Sequence, residues 1–337
     1  MGFLTRPLVF SLILLNDYFF SLSIAIDCGG KNIAYTITVN TLGNGAKFKT
    51  IQAAIDSISI NNNRWVKIYI NDGLYSEKVF IPPEKPCIIL EGSGQPIISY
   101  GDHEAMDISA TFSSFPPNVI AIGITFRNSF NTGQNYAYNS DNELISPAVA
   151  ARIYGDKSFF LRCRFLGYQD TLFDVMGRHY FKDCYIQGEV DFICGNGQSY
   201  YENCTINANG KPELPPGYIT AQHRNSSNDP GGFVFKGGSV IGVGKVNLGR
   251  AWGPYSRVIF YQTYFSSQIL PEGWFAWDFV GHEENLTYAE VDCKGPGADT
   301  SKRVRWEKKL KRSDLHQYSL SSFINYDAWL DNLPPIS

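Results

Sequence analysis

Two aspartates stand out for what their spacing allows. Asp170, in GYQDTL (Gly167–Leu172), lies seven residues after Cys163, and Asp191, in GEVDFICG (Gly188–Gly195), lies seven residues after Cys184. The stretches around the two cysteines follow one pattern, so equal offsets place the carboxylates at equivalent positions of adjacent copies. If the copies stack as neighbouring β-strands, the two side chains face each other at about 4.8 Å. Two carboxylates that close cannot both ionise cheaply; one pKa is expected to rise and the other to fall. One then serves as an acid at working pH and the other stays an anion, the division that a general acid and a nucleophile require. The plainer reading makes both residues turn caps between strands. The matched offset, with YQD and VDF each set among apolar residues, favours the pair.

Further along, LGRAWGPYSRVIF (Leu248–Phe260) supplies Arg250 and Trp252. An Arg beside one aspartate would hold it ionised through a charge-assisted pair and select it as the nucleophile. An exposed Trp252 would offer a platform for the apolar C–H face of a sugar ring. Taken singly, these are a surface Arg and a core Trp. The chain has no Gly-x-Ser-x-Gly elbow, which leaves a serine hydrolase without support. Nothing resembles a phosphate-cradling loop. With five histidines and no Cys-x-x-Cys or His-rich cluster, no metal site is expected.

The elements that must position these residues are short strands. FLRCRF (Phe160–Phe165), FKDCYI (Phe181–Ile186) and YENCTI (Tyr201–Ile206) each place an aromatic residue three before a cysteine and an apolar residue two after it. The cysteines Cys163, Cys184 and Cys204 are 21 and 20 residues apart. FKGGSV (Phe235–Val240) and FYQTYF (Phe260–Phe265) are fainter copies, and AIGITF (Ala121–Phe126) is an earlier one. Each copy reads as one short alternating strand bounded by Gly, Asn or Asp turns. Helical spacing is confined to FKTIQAAIDSI (Phe48–Ile58) and to the C-terminal stretch around LSSFINYDAWL (Leu320–Leu330). A period just above 20 residues built of strands predicts an all-β parallel β-helix with short terminal helices. A β-sandwich is the competing architecture. No Pro/Ser-rich linker divides the chain, so residues 26–337 are read as one domain.

Residues 1–25 have the form of a secretory signal: Arg6, the apolar run PLVFSLILL and a small-residue site at Ser23–Ala25. The apolar run is too short to span a membrane, and the expected product is secreted. The formal charge is −3, and removal of residues 1–25 takes away Arg6 and Asp17 and leaves it unchanged. That balance argues against nucleic acid, which demands a basic face. Seven cysteines allow at most three disulfides. Sequons at Asn203, Asn225 and Asn285 permit glycosylation in such a compartment.

GLYSEKV (Gly73–Val79), GYQDTL, GEVDFICGNG, LGRAW and PEGWFAW (Pro271–Trp277) resemble, in order and spacing, the signatures of the plant pectin methylesterases, or pectinesterases. The resemblance runs from about Ile37 to Leu330. It implies a right-handed parallel β-helix, removal of methyl esters from cell-wall homogalacturonan, and no cofactor. By residue, it implies that Asp191 is the nucleophile, that Asp170 is the acid and then the base, and that Gln169 stabilises the oxyanion. Arg250 would orient the nucleophile and contact substrate, with Trp252 and Tyr168 lining the cleft. It further implies a Cys184–Cys204 bridge, although Cys163 lies in the same stack and competes; the pairing of Cys28, Cys87, Cys194 and Cys293 is not readable. A proteinaceous inhibitor is an implied partner, the state is expected to be monomeric, and no inhibitor-like pro-region is expected between signal and catalytic domain.

Two departures from the family pattern bear on activity. The family's glutamine in QAVAL is Pro147 here (PAVAA, Pro147–Ala151), which has no side-chain donor. The second Phe of VDFIFG is Cys194, a smaller group expected to loosen packing or widen the cleft. These changes motivate the alternative of a weakened or inactive wall-binding homologue. Among active alternatives, a polysaccharide lyase would need calcium ligands and a basic proton abstractor. A glycosidase would need carboxylates spaced about a glycosidic bond.

Overall fold

The computed structural model describes residues 26–130, 146–210 and 215–336, and the expected signal segment lies outside them. Three parallel sheets of ten, eight and eight strands wind around one core, a parallel β-helix as the repeat predicts. One turn shows the construction. Ser158–Leu161 belongs to the ten-stranded sheet, Arg164–Leu166 to a second sheet and Leu172–Asp174 to the third. The chain then returns to the ten-stranded sheet at Arg178–Lys182, in register with Ser158–Leu161.

Each sequence copy is therefore two strands joined at a corner, where a single strand was expected. The bend is made in the left-handed region, by Arg162 (φ 51°), Asp183 (φ 53°), Asn203 (φ 54°), the pair Gly237 (φ 64°) and Gly238 (φ 67°), and Gln262 (φ 56°). The aromatic that opens each copy points inward. Phe160, Phe181, Tyr201, Phe235 and Phe260 form a continuous stack with centroid spacings of 4.9, 4.6, 4.5 and 4.3 Å. Such a ladder fixes the register of successive turns, because slipping one strand would break its ring contacts with both neighbours.

The two helical stretches close the molecule. The helix Ile51–Asp56, capped by Thr50, buries Ile51, Ala54 and Ile55. At the other terminus Leu320–Phe323 forms a helix, and Tyr318, Phe323, Ile324 and Trp329 pack on the outer face of the ten-stranded sheet against Tyr180, Tyr200 and Ile259.

The expected Cys184–Cys204 bridge is not formed. Cys163, Cys184 and Cys204 are buried thiols, and the disulfide joins Cys28 to Cys87. In an in-register parallel stack, equivalent side chains project side by side, and their Cβ vectors do not converge as a disulfide requires. Each thiol instead donates to a carbonyl of the preceding turn, Cys184 to Phe160 (3.3 Å) and Cys204 to Phe181 (3.5 Å).

Candidate active site

Asp170 and Asp191 occupy the corners that lead into the third sheet, just before Leu172–Asp174 and within Val190–Gly195. Leu172 pairs with Ile193 and Phe173 with Cys194, so continuing the register two residues back aligns Asp170 with Asp191. Gln169 bridges Val190, and the Asp170 N–H donates to the Val190 carbonyl (3.1 Å). Both aspartates have left-handed backbones, φ 57° and 50°. Asp tolerates that region better than most residues, and its use twice at one corner swings both carboxylates the same way. The turn is tight: a Cβ on Gly188 would lie 2.2 Å from Cβ of Phe192.

The two carboxylates differ in their partners. Arg250 donates from Nε to Asp191 Oδ1 at 2.8 Å and from a terminal nitrogen to Oδ2, a bidentate fork. The guanidinium is itself held between rings, 3.7 Å from the Trp277 centroid and 4.4 Å from that of Tyr218. No side-chain cation pairs with Asp170 among the described residues. Burial, with 4% of the residue exposed, raises its pKa well above the ordinary carboxylate value; the charge of Asp191 raises it further, against a smaller lowering by Arg250. Asp191 does not fall as expected. Burial raises it too, and Arg250 offsets part of the rise. The asymmetry comes from the Arg250 pair, which lowers Asp191 directly, and from the Asp191 charge, which raises Asp170.

Around the pair, Trp252 stands half-buried against His223 (4.3 Å) and Phe173 (6.3 Å). Tyr168 is only 2% exposed, and its carbonyl accepts from the N–H groups of Glu189 (2.8 Å) and Val190 (3.1 Å). It ties the two corners together, and the open lining comes from Trp252, Phe173 and His223. The Gln169 side-chain amide has no hydrogen-bond partner among the described residues, which leaves its donors free beside Asp170. Pro147 lies half-buried just before Ala148, whose N–H donates to the Gln169 carbonyl (3.3 Å). Cys194 is 1% exposed and aligns with Phe173 and Ala221, so two small side chains separate Phe173 from Arg250 along this face.

Sequence reasoning missed Phe173, Tyr218, His223 and Trp277. Trp277 lay within a quoted signature, PEGWFAW. The other three become visible only once strand register aligns them with Arg250 and Trp252.

Comparison with known proteins agrees with this fold. The family model described as Pectinesterase matches residues 36–327. Putative pectinesterase 10 of Arabidopsis thaliana is 48% identical over 314 residues, covering 91% of this chain and 90% of its own. Probable pectinesterase 55 of the same plant is 47% identical over 305 residues, covering 89% and 91%. Among solved structures, pectin methylesterase from carrot superposes with a TM-score of 0.79 at 30% identity, over 88% of this chain and 94% of that one. The deglycosylated enzyme from Aspergillus niger gives 0.75 at 26% identity, over 90% and 98%. With the β-helix, the two corner aspartates and the signatures all falling inside the matched span, the chain belongs to the pectinesterase family of carboxylic ester hydrolases.

Proposed function

We propose that this protein removes methyl esters from homogalacturonan through a covalent aspartyl intermediate. The observation that carries the reading is the bidentate Arg250–Asp191 pair set one turn from an unpaired, buried Asp170. Asp191, kept anionic by Arg250, attacks the ester carbonyl carbon, and the negative charge moves to the carbonyl oxygen. The free amide of Gln169 donates to that oxygen. Asp170, protonated because it is buried, gives its proton to the methoxy oxygen as the C–O bond breaks and methanol leaves. The acyl-enzyme is an anhydride of Asp191. Asp170, now an anion, takes a proton from water, whose oxygen attacks the acyl carbon; the anhydride bond breaks to give the Asp191 carboxylate and the uronic acid, which loses its proton to solvent.

Pro147 contributes no side-chain donor, so Gln169 carries the oxyanion contact alone among side-chain amides, and activity survives at a reduced rate or with altered substrate preference. No cofactor enters any step. The N-terminal signal directs the chain to the cell wall as a monomer, where a proteinaceous inhibitor is a fitting partner. The exposed sequon residues Asn203 and Asn225 are accessible to glycosylation.

The test is methanol release from highly esterified pectin by the intact protein and by Asp191→Ala. No methanol from the intact protein overturns the enzyme reading. Equal release by both overturns the role of Asp191.

A further inference from the structure

The outer face of the third sheet carries a second arginine in the same column as Arg250. In register along that face stand Arg152, Phe173, Cys194, Ala221 and Arg250, one per turn. Arg152 and Arg250 thus lie two strand steps, about 10 Å, to either side of the strand that bears Asp191.

The two arginines are built alike, with one difference. The Arg152 guanidinium lies 4.9 Å from the Tyr154 centroid and 5.3 Å from that of Phe115, and those rings stack on each other at 4.5 Å. It donates to the Asp107 carbonyl and to Tyr154 Oη (2.9 Å), using two of five N–H donors. Arg250 has a carboxylate; Arg152 pairs with none among the described residues, and its buried Nε has no hydrogen-bond partner. Asp107 offers its backbone oxygen and forms no ion pair among the described residues. An arginine preorganised by two rings and a hydroxyl, yet lacking an anion, is a receptor for a planar carboxylate.

The proposed reaction makes such a carboxylate at every turnover, on the same polymer that lies along this face. We propose that Arg152, held by Tyr154 and Phe115, is a subsite for a free uronate carboxylate, so that chains already carrying de-esterified units are processed in preference to fully esterified ones. The subsite rests on the pectin-esterase reading for its ligand. Between this subsite and the strand that bears Asp191 the column carries only the half-buried Phe173.

The experiment compares the intact protein with Arg152→Gln on oligogalacturonates of one length, either fully esterified or with part of the units free. The quantity read is the ratio of kcat/KM for the partly free substrate to that for the fully esterified one. Loss of one charge-assisted contact should lower this ratio about tenfold or more. An unchanged ratio overturns the subsite, as does an equal fall on both substrates, which marks a structural role. If Arg152→Gln does not fold, Arg152→Lys carries the same test, because a point charge replaces the fork and should lower the ratio in part. Direct titration with fully de-esterified oligogalacturonate separates this inference from the esterase reading. Even if no methanol is released from any pectin, binding weakened about tenfold in the variant supports the subsite. Equal binding, or none to the intact protein, overturns it.

Discussion

Asp170 and Asp191 stand at the same corner of successive turns with nearly the same backbone, φ 57° and 50°, yet Arg250 grips only Asp191. Near-identical geometry with unequal electrostatics is what lets two chemically equal groups take opposite roles. The difference originates three strands along the stack from Asp170, where the register of Val246–Ala251 aims Arg250 back across Ala221.

A bell-shaped pH profile follows for methanol release. Turnover needs Asp170 protonated and Asp191 ionised. Both pKa values are raised, Asp170 the more strongly, so the acid limb belongs to Asp191 and the alkaline limb to Asp170. The same rise has a stability consequence. A carboxylate with a raised folded pKa costs stability as pH climbs through that pKa. Asp170→Asn should therefore lack turnover yet melt higher than the intact protein at neutral pH, with the two converging in acid. A variant that melts lower at neutral pH would show that Asp170 is not held as a buried acid.

Arg250→Ala should lower turnover by about 100-fold or more, as expected when a charge-positioning group is removed. The variant should remain folded, because Tyr218 and Trp277 still close the face. Its acid limb should move to higher pH, since the interactions that lower Asp191 are those made by Arg250. Unchanged activity, or a loss with no shift of the limb, would sink the assigned role.

The cysteines give a prediction independent of catalysis. Only Cys28 and Cys87 are bridged, closing a loop of 59 residues, a cross-link worth about 4 kcal/mol on chain-entropy grounds. Alkylation of the denatured, unreduced protein should label five thiols, those of Cys163, Cys184, Cys194, Cys204 and Cys293. Cys28→Ser should lower the melting temperature far more than Cys204→Ser. The reverse order would restore the bridge that the family resemblance implies.

How much of this was legible in the sequence depended on whether a feature repeats. The aromatic ladder Phe160–Phe181–Tyr201 and the offset from cysteine to aspartate recur at a constant interval, so fold class and the aspartate pair could be read directly. The corners could not, because the bend is made in the left-handed region by residues whose identity varies from Arg162 to Asn203 to Gln262. Cys293 stands after the left-handed Asp292 as Cys184 stands after Asp183, but it was hidden because its copy, VDC, lacks the leading aromatic. The Cys28–Cys87 pair joins segments outside the repeat. Trp277 and Tyr218 reach Arg250 through loop insertions and a β-bulge between Val190 and Ile193, whose register no spacing rule supplies.

Glu189 offers the last prediction. It sits two residues before Asp191, 2% exposed, with no cation beside it among the described residues. Its carboxylate accepts from the Gly210 N–H at 2.6 Å. A Cβ at Gly210 would come within 2.0 Å of it and one at Gly217 within 2.7 Å, so the enclosure depends on glycine. Burial pushes Glu189 up to about 7, against lowering by the Gly210 and Gly217 N–H groups. The pKa is raised, so the stability is complete below about 4.5 and is lost as pH rises through about 7. The shift corresponds to about 3 kcal/mol at most. Glu189→Gln keeps an acceptor for Gly210 and carries no charge. Its stability advantage over the intact protein should grow between about pH 5 and 8, measured by denaturant unfolding at each pH. An advantage that stays constant across that interval would show that the Glu189 carboxylate does not ionise at a cost to the fold.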